Sequence, residues 1–426
     1  MKNTFILLIV FSLFACNNES SIRNTTAPID YDKYLVTDNP SEKITQKELE
    51  FWQERLDKDS IALVSLSKLA GSHAGLFSTT GNIDELYESE ALIKKAYEVS
   101  SRNKDSYLRT LAHNYISQHR FKEAKTLLDS AYTFPDNKHE TELMLFDVTM
   151  ELGDYETANK MLGKVKKNND FNYLIRQAKW NDHQGNLDAA IRNLEQAKEV
   201  AESGGNKGLR LWIYTNLGDF YGHAGRIMDA YNHYLMALKI QPDNSYAKKQ
   251  IAWIIYSNEK NTQEANRILD SVMVNHKVPD YHLIKSQMAE FDGNNEESQK
   301  QQQDFLNAVS NGNYGHMYNT YLINVYAEIN PDKALEIAQR EINNRATPET
   351  YQLLAYSQLQ TGKKEEALQT IEKYVEGKTF EPKALYHAAL IYKANGMMDK
   401  VKTIKEELKE ASFEVGPLMA QKIENL

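Results

Sequence analysis

The sequence has little cysteine, proline and glycine, and it has no excess of positive charge. One cysteine among 426 residues excludes an intrachain disulfide and a zinc site built from cysteines. Nine prolines and 19 glycines exclude a collagen-like or proline-rich chain. The 50 basic and 59 acidic residues give a net charge of −9. We therefore expect no nucleic-acid partner, because binding to a phosphate backbone needs a basic surface.

The N-terminus predicts an exported chain. Lys2 precedes the apolar run FILLIVFSLF at residues 5–14, which is typical of a signal peptide and too short to span a bilayer. The run leads into Leu13-Phe14-Ala15-Cys16, which resembles a bacterial lipobox, although that pattern prefers a smaller residue than Phe14. The resemblance implies that residues 1–15 are removed and that Cys16 carries acyl chains such as palmitate, which anchor the protein to a membrane. The alternative is an ordinary secretory signal.

The residues after Cys16 predict a tether and an address. Residues 16–40 are polar and lack a periodic apolar face, so we expect a flexible linker that holds the folded part roughly 25–30 Å from the membrane. Asn17 replaces the aspartate that retains many lipoproteins at the inner membrane, which favours the outer membrane of a bacterial cell envelope. The stretch at residues 17–19 weakly resembles export signals of Bacteroidota lipoproteins. The sequence leaves open whether the protein faces the periplasm or the cell surface.

A length of 426 residues exceeds what one core of roughly 250–300 residues supports, so the chain has several domains or is a repeat array. The clearest unit runs from Leu211 to Asn244. Nine of its residues agree in type and spacing with the tetratricopeptide repeat, which this segment resembles: Tyr214, Leu217, Gly218, Tyr221, Gly225, Ala230, Tyr234, Ala237 and Pro242. The resemblance implies two helices in close contact, joined at Gly225 and ended by Pro242.

A small residue that marks the second helix of this unit recurs along the chain. It stands at Ala124, Ala158, Ala190, Ala230, Ala265, Ser298, Ala334, Ala367 and Val401, at a mean spacing of about 35 residues. We therefore predict about nine repeats over residues 104–415, after a divergent helical repeat or cap at 41–103 and before a capping segment at 416–426. The predicted fold is all-α: an extended right-handed superhelix of helix-turn-helix repeats, in which each hairpin contacts its neighbours and the inner surface is concave.

No pattern in the sequence indicates catalysis. The eleven histidines form no H-E-x-x-H motif, and neither a phosphate-binding glycine loop nor a G-x-S-x-G motif is present. His183 and His223 occupy equivalent places in successive repeats, but two histidines do not complete a metal site. We predict no enzymatic activity, no cofactor and no metal.

The family resemblance also implies a binding groove lined by the first helix of each repeat. The residues that fall at groove positions are Arg109, Trp212, Tyr246, Lys249, Trp253, Tyr256, His282, Asn319, Tyr356 and Tyr386. Aromatic side chains in a groove are suitable anchors for a peptide or helix, and the alternative is that they pack between neighbouring helices. Some family members bind a C-terminal carboxylate with a set of Lys, Asn and Arg side chains. In this sequence only Lys249 and Asn319 correspond to members of that set.

These observations predict a lipid-anchored scaffold that binds a protein or peptide partner in the cell envelope. Two alternatives remain open at this point. One is a glycan-binding outer-membrane lipoprotein of the starch-binding type, and the other is an assembly factor for outer-membrane proteins. The sequence does not indicate the partner or the oligomeric state.

Overall fold

The structure is a computed structural model that describes residues 25–36, 38–59, 61–409 and 411–426. Within these ranges it contains 23 α-helices and one 3₁₀ turn, Asp32–Tyr34, and no strand, so the all-α prediction is confirmed. The helices are Pro28–Tyr31 (α1), Pro40–Lys58 (α2), Leu63–Thr80 (α3), Asp84–Val99 (α4), Lys104–Ser117 (α5), Phe121–Tyr132 (α6), Lys138–Leu152 (α7), Tyr155–Lys164 (α8), Phe171–His183 (α9), Leu187–Ser203 (α10), Lys207–His223 (α11), Ile227–Ile240 (α12), Ser245–Ser257 (α13), Thr262–Asn275 (α14), Asp280–Phe291 (α15), Asn295–Asn311 (α16), Asn319–Ile329 (α17), Pro331–Asn344 (α18), Pro348–Gln360 (α19), Lys364–Tyr374 (α20), Pro382–Ala394 (α21), Met398–Leu408 (α22) and Ser412–Glu424 (α23).

Consecutive helices pack in pairs to form hairpins. The pair α3/α4, with α2 packed on α3, precedes the pairs α5/α6 to α21/α22. In the second helix of each pair from α6 to α22, the fourth residue is the small residue noted above, and all of these residues are buried. A small buried side chain at this position lets the two helices of a hairpin approach closely, which explains why it recurs.

Local signals in the sequence determine where these helices begin and where the chain turns between them. Gly153 and Gly225 have φ angles of 78° and 68° between the two helices of their hairpins, a conformation that costs least for glycine. Side chains of residues that precede helices accept hydrogen bonds from the first turn, at Asp154, Asp170, Asn206, Asn244, Asn261, Asn294 and Asn330.

The superhelix is closed, because hairpins that are far apart in the chain contact each other across its successive turns. The Lys277 amide donates to the Thr80 carbonyl over 2.9 Å, although these residues belong to hairpins far apart in the chain. The Arg345 guanidinium lies 3.1 Å from the Glu151 carboxylate, 194 residues away. The expectation of an extended superhelix, with contacts only between neighbouring hairpins, is therefore wrong. The turns of early hairpins rest on loops of hairpins much later in the chain.

Residues 25–36 are packed against the folded part, so the predicted tether is wrong for them. The Tyr31 side chain is 1% exposed, and its hydroxyl donates to Glu264 at the start of α14 over 2.7 Å. The Thr26 amide donates to Glu259 over 2.7 Å. The burial of an aromatic ring supplies the free energy that holds a polar segment in place. Residues 1–24, including Cys16, lie outside the described residues.

The C-terminal helix does more than cap the last hairpin. Helix α23 is kinked at Gly416, whose φ and ψ of 74° and 166° are non-helical, and Pro417 starts its second half. Besides α21 and α22, it contacts α11, α13 and α15, which lie near the middle of the chain. The segment predicted as a cap at 416–426 thus extends back along the inside of the superhelix. No helix in the described part is both long and apolar enough to cross a membrane.

Candidate functional site

The inner face of the superhelix is formed by the first helices of the hairpins, and α23 lies on it. Phe413 packs on α11 beside Gly222, where an added Cβ would lie 2.8 Å from the Phe413 ring. Gly416 faces the indole of Trp253 in α13, and a Cβ on Gly416 would lie 3.0 Å from it. Both glycines therefore permit an approach that any larger side chain would obstruct. The inner face accommodates a helical segment at this place.

Polar contacts hold the far end of α23. The Lys422 ammonium lies 3.0 Å from the Glu290 carboxylate of α15. Lys393 in α21 donates to the carbonyl of Leu426 over 3.1 Å. These groups are partly exposed to solvent, and pairs of this kind contribute only about 0–1 kcal/mol each. The apolar contacts of α23 thus account for most of its attachment.

A cavity of about 330 Å³ lies on one side of α23, and we call it the aromatic chamber. Its walls come from α13, α15, α17, α19, α21 and α23. They include Lys249, Trp253, Asp280, Glu290, Tyr321, Glu328, Tyr356, Lys383, Tyr386, His387, Val415, Leu418, Met419 and Lys422. Aromatic and aliphatic side chains with a few charges are the usual lining of a site that binds an apolar segment with a polar edge.

Two basic residues of α21 in this chamber, Lys383 and His387, have pKa values below their usual range. Lys383 faces the chamber and makes no hydrogen bond or ion pair with the described residues, and the surrounding protein lowers its pKa to about 8. Burial also lowers the pKa of His387 well below its usual value. The neutral imidazole stacks on Tyr356 with ring centroids 3.9 Å apart, and Nδ1 lies 2.5 Å from the Gln352 amide oxygen. His387 therefore supports the wall, while Lys383 is available to a ligand.

A second cavity, of about 410 Å³, lies at the other end of α23, and we call it the acidic chamber. Its lining includes five carboxylates, two permanent cations and two histidines: Glu151, Asp182, Glu349, Glu381 and Glu414, then Lys179 and Arg345, then His183 and His223. The two histidines compared above thus lie on the same chamber. In the described part of the chain, no group of His, Cys, Asp and Glu residues has the arrangement of a metal site.

The charges in the acidic chamber are unevenly paired. Lys179 and Arg345 both pair with Glu151, at 2.9 and 3.1 Å. Among the described residues, the side chains of Asp182, Glu349, Glu381 and Glu414 have neither an ion pair nor a hydrogen bond. Four of the five carboxylates that line the acidic chamber therefore lack a cationic partner among the described residues.

Burial and mutual repulsion shift the titration of these unpaired carboxyl groups. Burial, followed by the nearby charges of Glu414 and Glu349, raises the pKa of Glu381 to about 7. Burial also raises the pKa of Asp182 and of Glu414. The chamber therefore holds protons at a pH where ordinary surface carboxyls have lost them.

Four residues predicted for the groove come together in the aromatic chamber. They are Lys249, Trp253, Tyr356 and Tyr386. Tyr256 lies behind them and is fully buried against Trp253, with ring centroids 5.5 Å apart. The four chamber residues have the inward orientation that the repeat pattern predicted, and their role in binding stays a prediction. Tyr256 has no exposed surface, so it does not line the groove.

Three other predicted residues are occupied by contacts within the protein. Arg109 pairs with Asp105 at 2.9 Å, within the same helix. The Asn319 amide, 2% exposed, donates to Glu341 over 2.6 Å. His282 lies 2.7 Å from the side chain of Gln301, on the second helix of its own hairpin. Polar partners within the protein thus engage these three residues. Asn319 is too deeply buried to line an open groove, whereas the role of Arg109 and His282 in binding stays a prediction.

The remaining two predicted residues are open to solvent. Trp212 and Tyr246 are each 39% exposed, on α11 and α13. The Tyr246 hydroxyl donates to Asp219 over 2.6 Å, and Trp212 packs edge-on against Phe171. Tyr321 on α17, which the sequence analysis missed, is 43% exposed and also borders the aromatic chamber. Of these three exposed aromatics, Tyr321 thus adjoins the place where α23 lies.

Sequence reasoning also missed Lys383 and the α23 side chains that complete both chambers. Lys383 is the second residue of α21, which is a groove position in the repeat pattern, so its place was detectable. The C-terminal apolar residues Val415, Leu418 and Met419 have helical spacing, which indicates a buried face. No local sequence pattern indicates that α11, α13 and α15 cover this face.

Comparison with known proteins supports the repeat at one place in the chain. The tetratricopeptide repeat family model matches residues 348–376, which contain α19 and α20. No curated protein matches the sequence significantly.

Solved structures share the general arrangement of helices only. A human IFIT1 dimer with PPP-AAAA is 15% identical over 77% of each chain, with a TM-score of 0.47. YrrB, a TPR protein with an unusual peptide-binding site, is 20% identical over 46% of this chain and 95% of its own, with a TM-score of 0.27. A STAND protein with a tetratricopeptide repeat sensor from Pyrococcus horikoshii is 15% identical over 86% of this chain and 55% of its own, with a TM-score of 0.37. With the family match and the paired helices taken together, the chain folds as a tetratricopeptide-type α-solenoid.

Proposed function

We propose that the protein is an interaction scaffold whose inner face binds a helical segment of a protein partner. One observation carries this proposal: α23 already lies on the inner face, with Phe413 beside Gly222 and Gly416 on Trp253. A surface that fits one helix with a narrow apolar edge fits others of the same shape, since such grooves recognise apolar anchors spaced along a helix.

Exposed aromatics on the first helices α11, α13 and α17 extend the proposed binding surface. Trp212, Tyr246 and Tyr321 remain open while α23 is in place. Large aromatic side chains with polar tips contribute strongly to protein interfaces and lose little conformational entropy on binding. A partner helix longer than α23 would therefore have anchoring positions beyond the two chambers.

The charge of the inner face favours a protein over a nucleic acid. The acidic chamber has five carboxylates and two permanent cations, so a phosphate backbone would be repelled there. Lys249 and Lys422 of the aromatic chamber already pair with carboxylates, whereas the exposed Lys383 offers an unpaired cation among the described residues, which suits one carboxylate of a peptide.

The proposal places this scaffold at a membrane of the bacterial envelope. The lipobox-like sequence before Cys16 supports a lipid anchor, and the absence of an aspartate after it favours the outer membrane. Residues 25–36 are fixed to the solenoid, so only residues 16–24 would separate the lipid anchor from the folded part. A short linker keeps the inner face near the membrane and raises the local concentration of membrane-bound partners.

Site-specific photo-crosslinking in intact envelopes tests this function. A photoreactive amino acid would replace Trp212 or Tyr246, with the same change at Val274 on α14, a second helix, as the matched control, because Val274 is 50% exposed. We expect a discrete crosslinked protein from the inner-face positions and none from position 274. Equal crosslinking at all three positions, or none at the inner face, would contradict the proposed surface.

A further inference from the structure

Helix α23 occupies the part of the inner face that the proposed function assigns to a partner helix. We propose that α23 is a displaceable latch, which competes with the partner helix and is released as the pH rises through neutrality. This inference rests on the proposed function and concerns the regulation of the same site.

The attachment of α23 permits release without unfolding. The helix belongs to none of the paired hairpins, so its departure leaves the helix pairs from α3/α4 to α21/α22 in contact. Its seat also stays formed, because Tyr256 below Trp253 is held by the core and packs edge-on against Phe291. The ion pair between Lys422 and Glu290 is partly solvated and adds little to the hold.

Docking of α23 brings a carboxylate into an already acidic place. Glu414 enters the chamber that contains Asp182 from α9 and Glu381 from the start of α21. None of these three side chains has an ion pair or hydrogen bond with the described residues. When all three are ionised, their mutual repulsion and lost hydration oppose docking.

The other charged groups of this chamber do not cancel that repulsion. Lys179 and Arg345 face it from α9 and from the loop before α19, but both are engaged by Glu151 of α7. Glu349 of α19 adds a further negative charge.

The remaining titratable groups of the acidic chamber are its two histidines and the phenol of Tyr155. His183 of α9 stacks on Tyr155 of α8 at a centroid distance of 4.0 Å, and burial lowers the pKa of this histidine. Burial raises the pKa of the Tyr155 phenol, which is neutral throughout the range considered. His223 of α11 also faces the chamber. A histidine whose pKa is lowered by burial favours docking at higher pH, so His183 acts against the carboxyl groups below its usual pKa, whereas the Tyr155 phenol has no effect on the pH dependence of docking.

The sign of the pH dependence follows from the direction of these shifts. A carboxyl whose pKa is raised by docking binds its proton more tightly in the docked state, so docking is favoured at low pH and weakened as the pH rises through the raised pKa. For Glu381 that value is about 7, against an ordinary value of 4.5. If docking caused the whole shift, the docking constant would fall by up to about tenfold between pH 6 and pH 8.

A single engineered thiol measures release of the latch in the full chain. Because Cys16 is the only cysteine, Cys16→Ser gives a thiol-free background. Ile423→Cys then places a thiol on α23 at a buried position, 3% exposed. Ala230→Cys, at a position with no exposure in α12, is the matched control that reacts only when the solenoid itself opens. We expect thiolate-corrected labelling of position 423 to exceed that of position 230 and to increase from pH 6 to pH 8.

Two further substitutions separate the latch from general loosening. Glu414→Gln removes one charge from the acidic chamber and is expected to flatten the pH dependence. Gly416→Ala forces a Cβ toward Trp253 and is expected to accelerate labelling at every pH. Hydrogen exchange of residues 417–424 in the unmodified chain reports the same opening, so a fold defect of the cysteine variant does not decide the result.

A labelled synthetic peptide of residues 411–426 tests competition. We expect it to bind the Gly416→Ala chain more tightly than the natural chain, and the natural chain more tightly at pH 8 than at pH 6. Labelling of position 423 no faster than of position 230 at any pH, together with full exchange protection, would overturn the latch. Fast labelling without peptide binding would instead overturn the proposed helix recognition while release of α23 stands.

Discussion

Gly218 provides a test of how closely the two helices of a hairpin must approach. In α11 it faces α12, and a Cβ added to it would lie 2.6 Å from Cε1 and 2.9 Å from Cζ of Tyr234. That ring is 3% exposed, and its hydroxyl donates to Asp219 over 2.7 Å. Gly218→Ala therefore forces the Tyr234 ring to move, although Ala is the better helix former.

The expected loss of stability combines opposing effects. Overpacking a filled core costs about 1–3 kcal/mol. Displacement of the Tyr234 ring also weakens a hydrogen bond to a carboxylate, which contributes about 1.5–3 kcal/mol. The gain in helix propensity from Gly to Ala offsets about 0.5–1 kcal/mol. We therefore expect Gly218→Ala to lower the free energy of unfolding by about 2–4 kcal/mol.

Gly71→Ala is the matched control, since Gly71 lies within α3 and an added Cβ would meet nothing within 4 Å. This change should leave stability equal or raise it by about 0.5–1 kcal/mol. Urea unfolding followed by circular dichroism measures both variants, and amide exchange in α11 and α12 locates the loss. Equal stability of the two variants, or unchanged exchange in α11 and α12, would refute the assigned contact.

Three further changes test contacts elsewhere in the chain. Arg345→Met removes one of the two cations that pair with the buried Glu151, so we expect a loss of about 2–3 kcal/mol and a larger radius of gyration in solution scattering, and unchanged values would contradict the closed superhelix. Tyr31→Phe removes the hydrogen bond to Glu264 and should speed amide exchange in residues 25–36, whereas unchanged exchange would show that the ring alone holds the segment. Cys16→Ala should abolish incorporation of a labelled fatty acid in a bacterial host, and persistent labelling would refute the lipobox.

The helical hairpins were predictable because their determinants are local and repeated. Ala124 and Ala158 each stand fourth in their second helix and have no exposure, as the period of the sequence requires. Gly225 has the positive φ that a turn between two helices needs. Each signal lies within one repeat and recurs, so a single sequence contains several independent copies of it.

Contacts between residues far apart in the chain left no such signal. Tyr31 and Tyr34 stand in a polar segment without periodicity, and their burial depends on α12 and α14, more than 190 positions later. The same applies to α23, whose apolar face was visible in the sequence but whose seat was not. The pattern of one segment shows that it has a partner and does not show which distant surface provides it.

The repeat pattern predicted the inward position of the aromatic residues and of Lys249, but not which polar side chains have partners within the protein. Trp253 and Tyr356 lie on the inner face, as their repeat positions indicate. Asn319 and Arg109 occupy equivalent positions, yet each is satisfied by a carboxylate nearby. A polar side chain at a buried interface must find a partner, and whether that partner belongs to the protein or to a ligand depends on neighbours the repeat pattern does not specify.

Closure of the superhelix determines how a partner could reach the inner face. The contacts that join successive turns include the pair of Glu151 with Arg345 and the packing of Phe380 on Gly185, where an added Cβ would lie 2.7 Å from the ring. Entry between the turns would separate these groups and leave Glu151 with one cation fewer, which is costly for a buried charge. Release of α23 gives up only the contacts of α23 itself and leaves these two contacts in place. Exchange of α23 for a partner helix is therefore the route that opens the inner face at the lowest cost in free energy.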